Sequence, residues 1–279
     1  MIKLFADTTS TISPAEAKQL GVYYLPQIIV FGDKAYRDDN EITSAEFLSR
    51  LKSSSSLPKT AAPPPALYTP MFKELSDQNH TIIVICPSSK VSGTYRSALT
   101  AAQDFPDADI RVVDTETIGP ALGTLVRRAL KWSEEGVPAD EIITRLVDQG
   151  RKVKIYFYVD TLEYLQKGGR IGLAKALVGS LLQVKPILLF KDGQVHQFES
   201  QRTKKRALAR IVELIELECP KKPESDLAIL EADAMDDALD LKDKFKQIMN
   251  FNNVTIADLP PAIIVHAGPG VLAASFFSE

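Results

Sequence analysis

The fold is decided by the stretch Pro87-Ser88-Ser89-Lys90-Val91-Ser92-Gly93-Thr94-Tyr95-Arg96-Ser97-Ala98. The apolar run 81–86 before it predicts a buried strand, and the amphipathic run 95–103 after it predicts a helix. At such a junction the free backbone N–H groups and the helix dipole favour an anion, and Ser92 or Thr94 would add a hydroxyl donor. A second interpretation is that Ser92 only caps the helix, a position that serine favours.

Strands alternate with helices on both sides of this stretch. The segments with strand character are 1–6, 22–31 and 110–114, and those with helical character are 14–20, 45–51, 66–76, 119–134 and 140–149. This alternation predicts a doubly wound, mostly parallel sheet flanked by helices. Asp7-Thr8 and Asp114-Thr115 also follow strands, so we expect them to converge with the Ser92 loop at the carboxyl edge of the sheet.

The pattern changes near Lys154, where an aromatic strand opens an α+β arrangement. We therefore predict an N-terminal α/β domain over 1–153 and a C-terminal α+β domain with a mixed sheet over 154–279. In the second domain, 174–182 predicts an apolar helix and 262–266 predicts a strand that ends at His266. The serine- and proline-rich segment 52–65 predicts a long, non-helical loop, of the kind that usually has a function.

The composition is that of a soluble globular protein, with 45% hydrophobic and 25% charged residues among 279. A net charge of −3 does not indicate nucleic-acid binding. The two cysteines, Cys86 and Cys219, show no ligand spacing, so we expect no metal. Because no leader segment and no membrane-span-length apolar run are evident, we expect a cytoplasmic protein.

Two further motifs leave the chemistry open. His266 precedes Gly268-Pro269-Gly270 and could donate to an anion, act as a base, or bond a loop carbonyl. With Ser92 it would form the nucleophile pair of an acyl hydrolase, although no GxSxG motif is present. The basic turn Lys167-Gly168-Gly169-Arg170 lacks Walker-loop spacing, so it is either a phosphate or partner site or a structural turn with an exposed arginine.

Six motifs in order give the chain a resemblance to a known family. They are Asp7-Thr8-Thr9-Ser10, Pro58-Lys59-Thr60, the Ser88–Tyr95 loop, the Thr161–Ile171 segment, Lys185-Pro186-Ile187-Leu188 and His266-Ala267-Gly268-Pro269-Gly270. With them the whole chain resembles DegV family proteins, the fatty-acid-binding (FakB-type) subunits of bacterial fatty acid kinase.

The resemblance implies a function in phospholipid metabolism without catalytic residues or a cofactor. It implies a long-chain fatty acid held between the two domains, with its carboxylate bound by Thr60, Ser92, Gly93 and His266. It also implies that Arg170 faces a separate ATP-dependent kinase subunit, which would make the acyl phosphate. We also consider a transient contact with a membrane surface. The alternative is an enzyme, either a Ser92/His266 acyl hydrolase or a phosphoryl-transfer protein of a related fold.

Two departures from the family pattern concern the head-group site. Ala61-Ala62 stand where the family usually has Ser-Gln, and Ala267 stands where the family usually has threonine. Both changes remove polar groups rather than charge. We therefore still expect an acyl ligand, held more by Ser92 and backbone groups.

Overall fold

The computed structural model describes residues 1–54, 56–177, 184–249 and 254–279. The chain divides into two compact units. The first unit comprises Met1–Thr43 and Pro58–Arg151, and the second comprises Ser44–Leu57 and Lys152–Glu279. The segment Ser44–Leu57 therefore packs with the second unit, although it interrupts the sequence of the first.

The helices, in chain order, are α1 (Pro14–Leu20), α2 (Ser44–Ser53), α3 (Pro65–Asp77), α4 (Thr94–Ala102), α5 (Pro120–Glu134), α6 (Ala139–Gly150), α7 (Glu163–Lys167), α8 (Lys204–Glu218), α9 (Met235–Met249) and α10 (Pro261–Ala267). Short 3-10 helices cover Thr8–Ser10, Gly172–Leu177 and Pro223–Ser225.

The strands, in chain order, are β1 (Ile2–Asp7), β2 (Tyr23–Leu25), β3 (Ile28–Phe31), β4 (Lys34–Arg37), β5 (Lys59–Ala61), β6 (Thr81–Cys86), β7 (Ile110–Asp114), β8 (Val153–Tyr158), β9 (Lys185–Lys191), β10 (Gln194–Gln201), β11 (Ala228–Ala232), β12 (Thr255–Asp258) and β13 (Val271–Phe277).

The first unit is built on a parallel sheet of strand order β2-β1-β6-β7. The central strand β6 is buried from Ile82 to Cys86, which explains why its sequence is a continuous apolar run rather than an alternating one. Helices α3 and α4 pack against this sheet, because Tyr68 and Phe72 of α3 and Ala98 of α4 share a buried cluster with Phe5 of β1. A smaller antiparallel sheet has the order β4-β3-β5.

Both ends of α1 lie where local sequence signals predict them. The Ser13 hydroxyl accepts the Glu16 N–H at 3.1 Å, Pro14 opens α1, and Gly21 closes it with φ +68°. Glycine adopts this left-handed conformation readily, because it has no β-carbon. The α1 prediction is confirmed.

The second unit contains a six-stranded sheet of order β10-β9-β8-β13-β11-β12. All its pairings are antiparallel except β11–β12. Helices α8 and α9 pack on the sheet, and their buried residues include Ile211, Ile215, Leu241 and Phe245. A parallel sheet in the first unit and a mixed sheet in the second confirm the predicted α/β class.

Three expectations need correction or restriction. The 262–266 strand is wrong, because Pro261 opens α10 there and Gly268 ends it with φ +80°. This segment forms α10 even though β-branched residues such as Ile263, Ile264 and Val265 favour strands. The non-helical 52–65 loop is shorter than predicted, because Ser53 ends α2 and Pro65 opens α3, and it contains the strand β5, which pairs with β3. The expected 174–182 helix begins as a 3-10 turn, and 178–182 lie outside the described residues.

Candidate functional site

The Ser88–Gly93 loop joins β6 to α4 and is held by hydrogen bonds from its backbone N–H groups. The Ser88 N–H donates to the Thr117 carbonyl at 2.8 Å, and the Ser92 N–H donates to the Ser88 carbonyl at 3.0 Å. Helix α4 begins at Thr94 after Gly93, the N-cap residue. Gly93 has no side chain to accept the first-turn N–H groups, so this end of α4 can receive an anion.

Asp7 lies beside this loop at the end of β1 and is 1% exposed. One carboxylate oxygen accepts the Thr9 N–H at 2.9 Å and the Thr9 hydroxyl. The other accepts the Gln27 amide at 2.6 Å and the Thr94 hydroxyl at 2.7 Å. Burial raises the pKa of Asp7, while the Thr9, Thr94 and Gln27 hydrogen bonds oppose that rise.

The hydrogen-bonded chain continues from Asp7 to Ser92. The Ser92 and Thr94 hydroxyl oxygens lie 3.0 Å apart, and the Thr94 N–H donates to the Ser92 oxygen at 3.2 Å. The Gln27 amide also donates to the Thr94 oxygen at 2.9 Å. Ser92 thus bonds the first N–H of α4 and is linked through Thr94 to a buried carboxylate. The expected convergence of Asp7 with the Ser92 loop is confirmed.

Asp114, at the end of β7, also contacts this loop. Its carboxylate accepts the Ser89 N–H at 3.2 and 3.3 Å and the Glu116 N–H at 2.9 Å. Asp114 therefore holds the turn in place through the backbone, as the strand-end pattern predicts.

Thr60 lies in β5, and the residues after it reach the start of α4. A β-carbon on Gly93 would stand 3.3 Å from the β-carbon of Ala62, and the Ser97 hydroxyl donates to the Pro63 carbonyl. The structure therefore brings the Thr60 segment and the Ser92-Gly93 loop together within the first unit.

In the second unit His266 lies in α10 and packs against the basic turn after α7. A β-carbon on Gly168 would stand 2.2 Å from the His266 Nδ1 atom, so only glycine allows this approach. A β-carbon on Gly268 would likewise stand 2.4 Å from the Tyr164 ring, and one on Gly270 would stand 2.2 Å from the Asp160 carboxylate. The two glycine motifs of the sequence therefore pack against each other.

His266 and Arg170 are electrostatic neighbours in this cluster. Burial first, and then the Arg170 charge, lower the pKa of His266 to about 4, so its imidazole is neutral at pH 7. Arg170 is half-buried, donates to the Gly168 carbonyl at 2.7 Å, and has its pKa lowered by burial. The interpretation of the turn as one with an exposed arginine is therefore wrong.

The predicted site residues thus form two groups. Thr60, Ser92 and Gly93 lie in the first unit, whereas Arg170 and His266 lie in the second. Sequence reasoning missed Gln27, which is 4% exposed and links Asp7 to Thr94. No local signal marks it, because a buried glutamine after a short strand has the same sequence appearance as a surface one.

The described parts of the chain contain no group of three or more His, Cys, Asp and Glu side chains that could bind a metal ion. Among the same residues, no helix is both long and apolar enough to cross a membrane.

The model of one protein family, described as "Uncharacterised protein, DegV family", matches residues 1–279. The chain belongs to the DegV family. A DegV domain-containing protein of Halalkalibacterium halodurans is 34% identical over 279 residues, covering 100% of this chain and 99% of its own. A second, from Streptomyces coelicolor, is 31% identical and covers 97% of this DegV chain and 96% of its own.

Solved structures of DegV proteins share the fold over the whole chain. A fatty acid binding DegV family protein of Streptococcus agalactiae has a TM-score of 0.90 at 27% identity. The Thermus thermophilus and Bacillus subtilis structures, both described as fatty acid binding, give TM-scores of 0.89 and 0.87, each at 29% identity. Each comparison covers 100% of this DegV chain and 99% of the other.

Proposed function

We propose that this protein binds a long-chain fatty acid and presents the carboxylate to a separate ATP-dependent kinase, which would form the acyl phosphate. The observation that carries the first part is the whole-chain similarity to three DegV proteins described as fatty acid binding, at 27–29% identity. The kinase partner rests on the family resemblance alone.

We assign carboxylate binding to Thr60, Ser92, Gly93 and His266. The supporting chemistry is a set of neutral donors: two hydroxyls, the amino end of α4 and an imidazole kept neutral by its low pKa of about 4. Neutral donors suit a carboxylate that must remain available to a kinase, because charge-assisted hydrogen bonds hold it without neutralising it.

The acyl tail would supply most of the affinity. At about 0.8 kcal/mol per buried methylene, a tail of roughly sixteen carbons gains on the order of 10 kcal/mol before the cost of ordering it. Bound fatty acid should therefore persist through purification.

The acyl hydrolase alternative is less well supported. A general base works best when its pKa is near the working pH, whereas the pKa of His266 is about 4. Such a group would be a weak base towards the Ser92 hydroxyl at pH 7.

The test is mass spectrometry of the protein purified from a bacterial host, first native and then after solvent extraction. A stoichiometric adduct that extracts as a long-chain fatty acid supports binding. A clean apo mass that stays unchanged after incubation with palmitate and oleate contradicts it.

The kinase part needs a separate experiment. The loaded protein, incubated with ATP, should form acyl phosphate only when a fatty acid kinase catalytic subunit is added. Phosphoryl transfer without that subunit, or release of chromophore from p-nitrophenyl palmitate, would instead favour an enzyme.

A further inference from the structure

The hydroxyl of Thr94 contacts the carboxylate of Asp7 and the hydroxyl of Ser92. On one side it contacts the Asp7 carboxylate at 2.7 Å, and on the other it contacts the Ser92 oxygen at 3.0 Å. A hydroxyl carries one hydrogen and two acceptor lone pairs. The single hydrogen of Thr94 can therefore serve Asp7 or Ser92, but not both.

When Asp7 is ionised, the donor and the acceptor of each hydrogen bond in this network are determined. The carboxylate only accepts, so Thr94 donates to Asp7, and the Ser92–Thr94 contact requires Ser92 to be the donor. The second lone pair of Thr94 accepts the Gln27 amide. In this arrangement the Ser92 hydrogen points inward and is not offered to a ligand.

With Asp7 protonated, the same atoms form a second complete network. Asp7 donates to Thr94, Thr94 donates to Ser92, and the Ser92 oxygen also keeps its bond from the Thr94 N–H. Thr94 still accepts the Gln27 amide. The Ser92 hydrogen now points outward, where it can donate to a carboxylate.

We propose that Asp7 is a positioning residue that takes up one proton when a carboxylate binds at Ser92, so that fatty acid loading is coupled to protonation. This inference rests on the proposed function. A route for the proton follows from the contacts. An acid at the site, either the fatty acid itself or a solvent acid, gives its proton to the Ser92 oxygen.

Ser92 then passes its original hydrogen to Thr94, and Thr94 passes its own to Asp7. Each hydroxyl gains one hydrogen and loses one, and the carboxylate of the bound fatty acid accepts the new Ser92 hydrogen. If a solvent acid supplies the proton, its conjugate base returns to solvent. The result is the second network described above.

Burial raises the pKa of Asp7, and its hydrogen bonds oppose that rise without a cation to fix the charge. Its four donors are neutral groups: the Thr9 N–H, the Thr9 and Thr94 hydroxyls and the Gln27 amide. Tyr24, Tyr68 and Cys86 face it as neutral acids, their pKa values raised chiefly by burial and further by the Asp7 charge. Asp38 accepts the Gln27 N–H at 2.9 Å, and Asp114 adds its charge near Cys86.

Calorimetry with delipidated protein tests the coupling, and dodecanoate below its micellar concentration serves as the probe. Titrations at pH 8 in phosphate and in Tris, which differ in ionisation enthalpy, give the number of protons taken up. For wild type we expect about one proton per ligand and an affinity that falls about tenfold per pH unit where Asp7 is ionised before binding.

Two variants assign the proton. Asp7→Asn mimics the protonated carboxyl, and Thr94→Val removes the linking hydroxyl; each should bind dodecanoate with no proton uptake and a flat pH profile. Circular dichroism reports whether each is folded, so one variant remains informative if the other is not.

The inference is overturned if wild type binds without proton uptake. It is also overturned if a folded variant takes up the same proton, because His266 or the ligand would then be the acceptor. Absence of binding to wild type, with palmitate as well as with dodecanoate, contradicts the proposed function itself.

Discussion

Gly168 and the imidazole of His266 are in direct contact: a methyl group at Gly168 would stand 2.2 Å from the Nδ1 atom. The backbone of Gly168 is right-handed helical, with φ −75°, so the requirement for glycine is steric and not conformational.

We therefore expect Gly168→Ala to displace His266 and to destabilise the protein by about 1–3 kcal/mol, as overpacking does. Urea unfolding measures the loss, and the extracted lipid per protein measures retention, which should fall. Gly169→Ala is the matched control, because Gly169 has open space around it and only its φ of +70° is unfavourable. Equal effects from both changes would mean that the His266 contact has no special role.

The low pKa of His266 predicts acid-sensitive stability. Its pKa is about 4 in the folded protein against 6.5 for the free side chain, so the unfolded chain binds more protons between these values. Stability is therefore complete above pH 6.5 and falls towards pH 4, by at most roughly 3 kcal/mol. Urea midpoints at pH 7, 6 and 5 should show this slope, and His266→Gln should flatten it. A slope that is unchanged in the variant would assign the effect elsewhere.

Ser92→Ala should weaken fatty acid binding. The change removes a donor to a partly buried anion, which typically costs about 1.5–3 kcal/mol, or roughly 10- to 100-fold in affinity. Titration of delipidated protein with dodecanoate measures it. Ser89→Ala is the control from the same loop, because Ser89 uses its backbone N–H to bind Asp114. Unchanged binding in Ser92→Ala would show that backbone amides suffice.

Arg170→Ala separates ligand binding from delivery. We expect the variant to retain extracted fatty acid within a factor of two while acyl phosphate formation with the kinase subunit falls at least tenfold. Because the Arg170 charge helps to lower the pKa of His266, that pKa should also rise, which NMR titration can follow. Loss of bound lipid would instead make Arg170 a ligand-binding residue.

A pair of carboxyl groups in the second unit, the buried Glu231 and the exposed Asp258, predicts the opposite pH behaviour. Burial first, and then Asp258, raise the pKa of Glu231, which also accepts the Ala234 N–H at 2.9 Å. The folded state therefore holds this proton more tightly, and its stabilising contribution is present at low pH and lost as pH rises through the folded pKa.

Glu231→Gln keeps the acceptor and removes the charge, so its melting temperature should exceed that of wild type by roughly 2–4 °C at pH 8. The difference should shrink at pH 5. Asp236→Asn, on the first turn of α9, is a surface control that should show little change. A variant less stable than wild type at pH 8 would contradict the pairing.

Much of the first unit could be predicted because its signals are local. Neighbouring residues alone indicate the caps of α1, the apolar run of β6 and the position of Ser92 before α4. The remaining strands depend on pairing with distant segments of the chain. Strand β5 has only three residues, and it forms because it pairs with β3. Strand β13 is buried on both faces, so its sequence shows no alternation that would mark it as a strand.

Only part of the candidate site could likewise be predicted. The resemblance indicates Ser92 and His266, but it does not indicate that His266 would lie on a helix or that Arg170 would be half-buried. The Asp7–Gln27–Thr94 network depends on residues up to 87 positions apart, whose contact is set by tertiary packing. Hydroxyl-rich loops indicate that such a network is available, whereas the residues that it joins become evident only from the folded structure.

The placement of α2 has a consequence for protein synthesis. This helix buries Phe47 and Leu51, packs against α10, and bonds Leu259 through Ser44 and Asp233 through Lys52. Those partners are made roughly 200 residues later, a delay of roughly 10–40 s at usual translation rates. During that interval the contacts of α2 with Asp233, Leu259 and α10 cannot form. The growing polypeptide therefore carries a helix with an apolar face whose contacts with α10 form only after residues 261–267 have been made.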